Sequence, residues 1–149
     1  MTRAVRSEAS PVSAVRVRAR RALWVCAAAV LAAGCGAPAA RVDGARTAGE
    51  GFERALAAGD DEAACRLLAP ATLEQLEQDE GKACAEALGG EDLPKAGAVR
   101  ATEVYGRQAL LRLDGDTLFL SRFDAGWRVV AAGCSPQGER PYQCVLKGG

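Results

Sequence analysis

Histidine is absent from the 149 residues, and aromatic residues make up only 5% of them. Without an imidazole, the serine–histidine and cysteine–histidine pairs that activate many hydrolytic nucleophiles cannot form. Zinc loses its usual nitrogen ligand, and the cysteines lack the CxxC-type spacing of zinc sites. The P-loop and the dinucleotide-binding glycine pattern are also missing. We therefore expect no cofactor, no metal site and no catalytic residues, and the sequence predicts a protein that is not an enzyme.

The apolar run at residues 22–34 is too short for a membrane-spanning helix, which needs about 20 residues. Four arginines precede it within residues 16–21, and small residues end it. A positive region, a short apolar region and a small-residue site, in this order, form an export signal. An uncleaved membrane anchor is the alternative, and the length of the run disfavours it.

The end of this run resembles a bacterial lipoprotein signal, and Leu31-Ala32-Ala33-Gly34-Cys35 carries the resemblance. The resemblance implies cleavage between Gly34 and Cys35 and attachment of a diacylglycerol, with acyl chains such as palmitate, to the thiol nucleophile of Cys35. Such a lipoprotein is anchored to the outer face of the cell membrane. The alternative is a secreted domain, released by ordinary cleavage after Ala37-Pro38-Ala39, which would discard Cys35.

The charge balance changes once residues 1–34 are removed, because they hold six of the 19 basic residues and one of the 19 acidic residues. The remaining 115 residues therefore carry 13 basic and 18 acidic side chains, a net charge of −5. This charge disfavours nucleic acid and anionic lipid surfaces as partners, so we expect membrane attachment through the lipid alone. We predict a signal peptide at 1–34, a flexible tether at 35–46 and a single monomeric domain at 47–149.

Four cysteines fall in this domain: Cys65, Cys84, Cys134 and Cys144. An even number of cysteines in an exported chain predicts two disulfides. Three pairings are possible, and we favour nearest neighbours, Cys65 with Cys84 and Cys134 with Cys144. The second pair would tie residues 138–142 into a surface loop, or simply fix the end of the last strand.

Helices are predicted in the first half of the domain. Capping-box spacing predicts helix starts at Thr47 and Thr72, and Asp60 is predicted to cap a helix between them. Apolar residues then recur at three- and four-residue steps up to Leu88, with Gly81 bending or splitting that helix.

Beyond residue 97 the apolar period becomes two, and four strands are predicted at 99–105, 108–113, 116–123 and 127–132. Asp114 and Asp116 flank Gly115 in a predicted hairpin turn, which supplies too few oxygen atoms for calcium. Trp127 is predicted to lie in the core. Helices followed by strands predict an α+β domain, with the helices packed on a four-stranded antiparallel meander.

The stretch AACRLLAP and the meander ending FLSRFDAGWRVVAAGC…PYQC resemble small actinobacterial lipoproteins of the nuclear-transport-factor-like, or polyketide-cyclase-like, superfamily. The resemblance covers about residues 47–145 and implies a cone-shaped, half-barrel domain. It implies a binding or accessory domain of the cell envelope, whose partner is a small apolar ligand or an envelope protein.

The alternative is a small cyclase- or isomerase-like enzyme with a buried Asp or Glu carboxylate as its base. An Asp–Tyr pair with Tyr105 or Tyr142 is one such arrangement. A deep cup that holds a carboxylate would favour this enzyme. Helices that fill the cup with leucine and alanine side chains would argue against it.

Overall fold

The computed structural model describes residues 37–148, so the predicted signal peptide, its cleavage position at Gly34 and Cys35, and the lipidation of Cys35 lie outside the described residues. The helices are α1 (Ala39–Ala58), α2 (Asp61–Cys65), α3 (Pro70–Glu80) and α4 (Cys84–Leu88). The strands are β1 (Val99–Tyr105), β2 (Gln108–Leu113), β3 (Thr117–Phe123), β4 (Gly126–Ala132), β5 (Ser135–Gln137), β6 (Arg140–Gln143) and β7 (Leu146–Lys147). The protein is an α+β protein, as predicted. Within this part of the chain, no helix is both long and apolar enough to cross a bilayer.

The main sheet has five antiparallel strands in the order β1-β2-β3-β4-β7, and β5 pairs with β6 in a separate hairpin. The four predicted strands match β1 to β4 to within one residue at each end. The sheet is open rather than closed into a barrel, since β1 and β7 form its two edges. Strands β5 to β7 were not predicted, because two to four residues are too few to show an alternating pattern.

Helix α1 begins at Ala39, so the prediction of a flexible tether through residue 46 is wrong. The early turns of α1 pack on the sheet: Ala45 is completely buried, and a Cβ at Gly44 would lie 3.2 Å from the ring of Trp127. Small residues allow this close approach, and an apolar period built from large side chains does not reveal them.

Both predicted capping boxes lie inside helices instead of at their starts. Glu50 pairs with Arg46 one turn earlier in α1, at 2.7 Å. Helix α3 begins at Pro70, which suits the first helical turn, and the Thr72 hydroxyl donates to a β4 carbonyl at 3.0 Å. Asp60 does cap α2, as predicted, by accepting a backbone N–H at 2.9 Å.

The core lies between the helices and one face of the sheet. Large apolar side chains on alternate positions of the strands meet the buried face of α1 there, and small ones complete the contact. The most deeply buried of the large side chains are Phe52, Leu111, Leu118, Leu120 and Val129. Apolar side chains therefore fill the space between α1 and the sheet, and Trp127 is part of this core as predicted.

Two disulfides are present, and they are the nearest-neighbour pairs expected from the sequence. Cys65–Cys84 joins the end of α2 to the start of α4, with the Cα atoms 6.1 Å apart. Cys134–Cys144 closes the segment that contains the β5–β6 hairpin. Gly81, with φ of 64°, ends α3 and separates it from α4, so the predicted third helix is split here. Two disulfides indicate folding in an oxidising compartment outside the cytoplasm.

Candidate functional site

Glu53 is a partly buried carboxylic acid on α1, one turn after Gly49. Its Oε1 atom is inaccessible to solvent and has no hydrogen-bond partner among residues 37–148. Burial, and after it the nearby charge of Asp116, raise the pKa of Glu53 from 4.5 to about 7. Glu53 therefore changes its protonation state close to neutral pH.

Asp116 is buried immediately before β3, and its carboxylate accepts hydrogen bonds from three backbone N–H groups. Its Oδ1 accepts from Thr117 at 2.6 Å and from Cys134 at 2.9 Å, and its Oδ2 accepts from Gly133 at 3.1 Å. Burial raises the pKa of Asp116, and these three donors oppose the rise. Asp116 thus joins β3 to the end of β4, a role that its predicted place in a hairpin turn does not reveal.

A cavity of about 320 Å³ lies beside Glu53, lined by residues of α1, α2, the end of α4 and the segment at 91–96. Leucine side chains from three of these elements form an apolar wall, and carboxylic acids form a polar one. The apolar wall includes Leu56, Leu88 and Leu93, and the polar wall includes Glu53, Asp61 and Glu91.

The charges around this cavity are mostly negative. Glu53, Asp61 and Glu91 line it together with one cation, Lys95. The Asp61 carboxylate lies against Gly89, where a Cβ would come within 2.8 Å of Oδ2. The cavity therefore attracts a positively charged ligand more strongly than a negative one.

A larger cavity, about 370 Å³, lies between α3 and β7, but its polar groups are less suited to a functional site. The hydroxyl of Thr72 in its wall is already bonded to the carbonyl of Val130, and the carboxylates of Asp79 and Glu80 are exposed. Besides Glu53, the described residues hold one unpartnered buried side-chain atom, Oγ1 of Thr102. Thr102 is one of the residues that line a cleft of about 180 Å³. The Glu53 cavity combines a titrating carboxylic acid with an apolar wall of leucine side chains, so it is the candidate site.

The two tyrosines singled out from the sequence do not line this cavity. The ring of Tyr142 packs edge-to-face on Phe119, with centroids 5.1 Å apart, on the sheet face opposite the helices. The exposed Tyr105 hydroxyl donates to Glu103 at 2.8 Å, so its carboxylate partner is not an aspartate. Within residues 37–148, no group of three or more histidine, cysteine or acidic side chains is arranged to hold a metal ion.

Glu53 was not singled out from the sequence, although a signal for it exists. With α1 beginning at Ala39, Val42, Gly49, Glu53 and Leu56 fall at spacings of seven, four and three residues, which places them on one helical stripe. A carboxylic acid on an apolar stripe signals partial burial. The stripe is not visible when the helix is predicted to begin at Thr47.

Comparison of the chain with models of protein families, with curated proteins and with solved structures finds no match. The fold and the geometry of the cavity are therefore the basis for any functional conclusion.

Proposed function

We propose that this protein is a lipoprotein anchored to the outer face of the cell membrane, and that its folded domain binds a ligand without transforming it. The pairing of all four domain cysteines in two disulfides carries the proposal. Disulfides of this kind persist in oxidising compartments, which agrees with an export signal ahead of Cys35. A lipid on Cys35 then holds a negatively charged domain at the membrane.

The start of α1 supports processing at Cys35 over the secreted alternative. The carbonyl of Pro38 accepts hydrogen bonds from the N–H groups of Arg41 at 2.8 Å and Val42 at 3.4 Å. Cleavage after Ala39 would remove this carbonyl from the first turn of the helix. Cleavage before Cys35 keeps it, with a short connection to the lipid.

A binding role is supported by the Glu53 cavity, whose volume of about 320 Å³ falls within the range of small-molecule sites. Helices that cover one face of an antiparallel sheet are compatible with the cone-shaped superfamily and with the actinobacterial lipoproteins that the sequence resembles. The proposal therefore includes membership of this superfamily and an actinobacterial origin.

The experiment is cell fractionation and intact mass measurement of the wild type and of Cys35→Ala, expressed in a bacterium that processes lipoproteins. We expect wild-type protein in the membrane fraction, with the mass of a chain starting at Cys35 plus a diacylglyceryl group, less the four hydrogens lost in two disulfides. Cys35→Ala should be released or remain unprocessed. The control Cys26→Ala changes the cysteine inside the predicted signal peptide and should behave as the wild type. A Cys35→Ala protein that still fractionates as a processed membrane protein would refute the lipid assignment.

Catalysis by Glu53 as a general base is the second candidate, because its pKa of about 7 suits proton abstraction at neutral pH. The filled space between α1 and the sheet argues against an enzyme with a deep cup there. Deuterium exchange at the carbon next to the carbonyl of small ketones, followed by proton NMR, tests this candidate. Deuterium exchange that the wild type catalyses and Glu53→Gln does not would show that the domain is a catalyst and not only a binding protein.

A further inference from the structure

We propose that one end of the sheet, which we call the hairpin end, contacts the lipid headgroups of the membrane to which the protein is anchored. The hairpin end consists of the β1–β2 turn at 105–108 and the β3–β4 turn at 122–126, together with Arg41 at the start of α1. The inference rests on the proposed lipid anchor, and it adds the surface that the domain turns towards the bilayer.

The hairpin end lies where the chain enters the domain. The guanidinium group of Arg41 donates to the carbonyl of Gly106 in the β1–β2 turn at 3.3 Å. About one turn later in α1, a Cβ at Gly44 would lie 3.2 Å from the ring of Trp127, which follows the β3–β4 turn. Cys35 precedes the start of α1 by four residues, which span at most about 14 Å when fully extended. A lipid on Cys35 would therefore keep this end of the domain close to the bilayer.

Exposed aromatic side chains are concentrated at the hairpin end. Tyr105 is 67% exposed and Phe123 is 37% exposed, and they are two of the three large hydrophobic residues that are exposed within residues 37–148. Tyrosine is enriched at the boundary between lipid headgroups and acyl chains, and phenylalanine anchors proteins that lie on a membrane. The two rings therefore suit a lipid surface better than they suit water.

The hairpin end is also basic, although the domain as a whole is acidic. Its exposed cations are Arg41, Arg107 and Arg122. The acidic residue of the two turns, Asp124, lies 4.0 Å from Arg107. The acidic excess is elsewhere, because residues 51–98 hold four basic and 11 acidic side chains, whereas residues 99–148 hold seven basic and five acidic ones. Lipid phosphates attract the basic end and repel the acidic helices, so the uneven charge orients a domain whose net charge alone disfavours contact.

The experiment places the natively processed lipoprotein in nanodiscs that contain a lipid with a gadolinium-chelating headgroup, which broadens the NMR signals of nearby amides. In nanodiscs of phosphatidylglycerol and phosphatidylcholine, we expect the strongest broadening at residues 105–107 and 122–125. The weakest broadening is expected at residues 92–97, which lie beside the β2–β3 turn at the opposite end of the sheet. Phosphatidylcholine alone, or added salt, should reduce the broadening at the hairpin end, because both weaken the attraction of the arginines.

Variants separate contact with lipid from tethering alone. Arg122→Gln should lower the ratio of membrane-bound to detached domain about fivefold, which is the contribution of one arginine near an anionic surface. Tyr105→Ser and Phe123→Ser should each lower it as well, because they remove a ring from the lipid interface. The control Lys95→Gln removes the same charge at the opposite end, where its carbonyl lies beside Gly115, and should stay within about twofold of the wild type.

Three results would overturn the inference. Broadening that is uniform across the domain, or that is unchanged in Arg122→Gln and Tyr105→Ser, is the result expected of a tether without lipid contact. Signals at the hairpin end that shift with protein concentration instead would assign this surface to a second copy of the chain. The mass of the same sample reports the lipid on Cys35, so a protein without it fails the proposed function and the inference together. A lipidated protein without the expected pattern of broadening fails the inference alone.

Discussion

The inward stripe of helix α1 meets different surroundings along its length: a packed flank earlier in the helix and an open flank towards its C-terminal end. On the packed flank, Ala45, Gly49 and Phe52 are buried against the sheet, and Ala45 and Phe52 have no exposed surface. On the open flank, Glu53 and Leu56 are partly buried and line the cavity. Neighbouring residues of one helix thus lie in a filled core and beside an open, acidic site.

This contrast distinguishes the residues that stabilise the fold from the residues that are available for binding. Small residues on the packed flank bring α1 close enough for large sheet side chains to fill the interface. On the open flank the facing elements are short, α2 and α4, and the irregular segment at 91–96, which leave space. A carboxylic acid is tolerated there at a cost in stability, as is common for groups that serve function.

The largest effect is expected from truncating the packed flank. Phe52→Ala should lower the free energy of unfolding by about 3–5 kcal/mol, because it leaves a cavity in a close-packed core. Leu56→Ala should cost about 1 kcal/mol, since its side chain is already part of an open cavity and the change removes less buried surface. Urea unfolding with both disulfides intact measures the two values. Equal losses would mean that the flanks do not differ as described.

The second prediction concerns the pH dependence of stability on the open flank. Glu53 ionises near pH 4.5 in the unfolded chain and near pH 7 in the folded one, so the folded protein binds more protons between these values. Stability should therefore fall as the pH rises from 4.5 to 7. With a reduction for solvent screening of this partly exposed group, the loss is about 1–2 kcal/mol.

Glu53→Gln tests this dependence, because the amide does not titrate. The variant should match the wild type near pH 4 and be more stable near pH 8, in urea unfolding at both values. The difference between the two proteins isolates Glu53 from other groups, such as Asp116, whose raised pKa acts in the same direction. Glu50→Gln should follow the wild-type profile. Wild-type and Glu53→Gln curves that run parallel would contradict the burial of this carboxyl.

Sequence patterns predicted the parts of the fold that depend on local chemistry. The alternation of β1 to β4 is visible because each strand presents one face to the core and has six or seven residues. Asp60 was predicted as a cap because its side chain competes directly for a free backbone N–H. The number of cysteines predicted two disulfides, and the nearest-neighbour pairing favoured among the three possible ones is confirmed.

The candidate site was not predictable in the same way, because it depends on contacts between distant segments. The buried state of Asp116 arises from β4 and the following residues, Gly133 and Cys134, which no local pattern connects to β3. Glu53 becomes buried only when α1 is placed on the sheet and the segment at 91–96 passes beside it. Capping-box spacing at Thr47 misled the prediction, because packing by small residues extended the helix past it.

The smallest effects on stability are expected at two glycines of α1, where replacement by alanine adds a single methyl group. A Cβ at Gly49 would overlap Cδ2 of the completely buried Leu111, so Gly49→Ala should destabilise by about 1 kcal/mol despite the higher helix propensity of alanine. A Cβ at Gly51 would lie 3.5 Å from Leu67, an ordinary contact, so Gly51→Ala should stabilise by about 0.5–1 kcal/mol. Thermal and urea unfolding of the pair give effects of opposite sign if the packed flank is as tight as the structure shows. A Gly49→Ala protein that gains stability like Gly51→Ala would mean that Leu111 has room to move, and that α1 does not lie as close to the sheet.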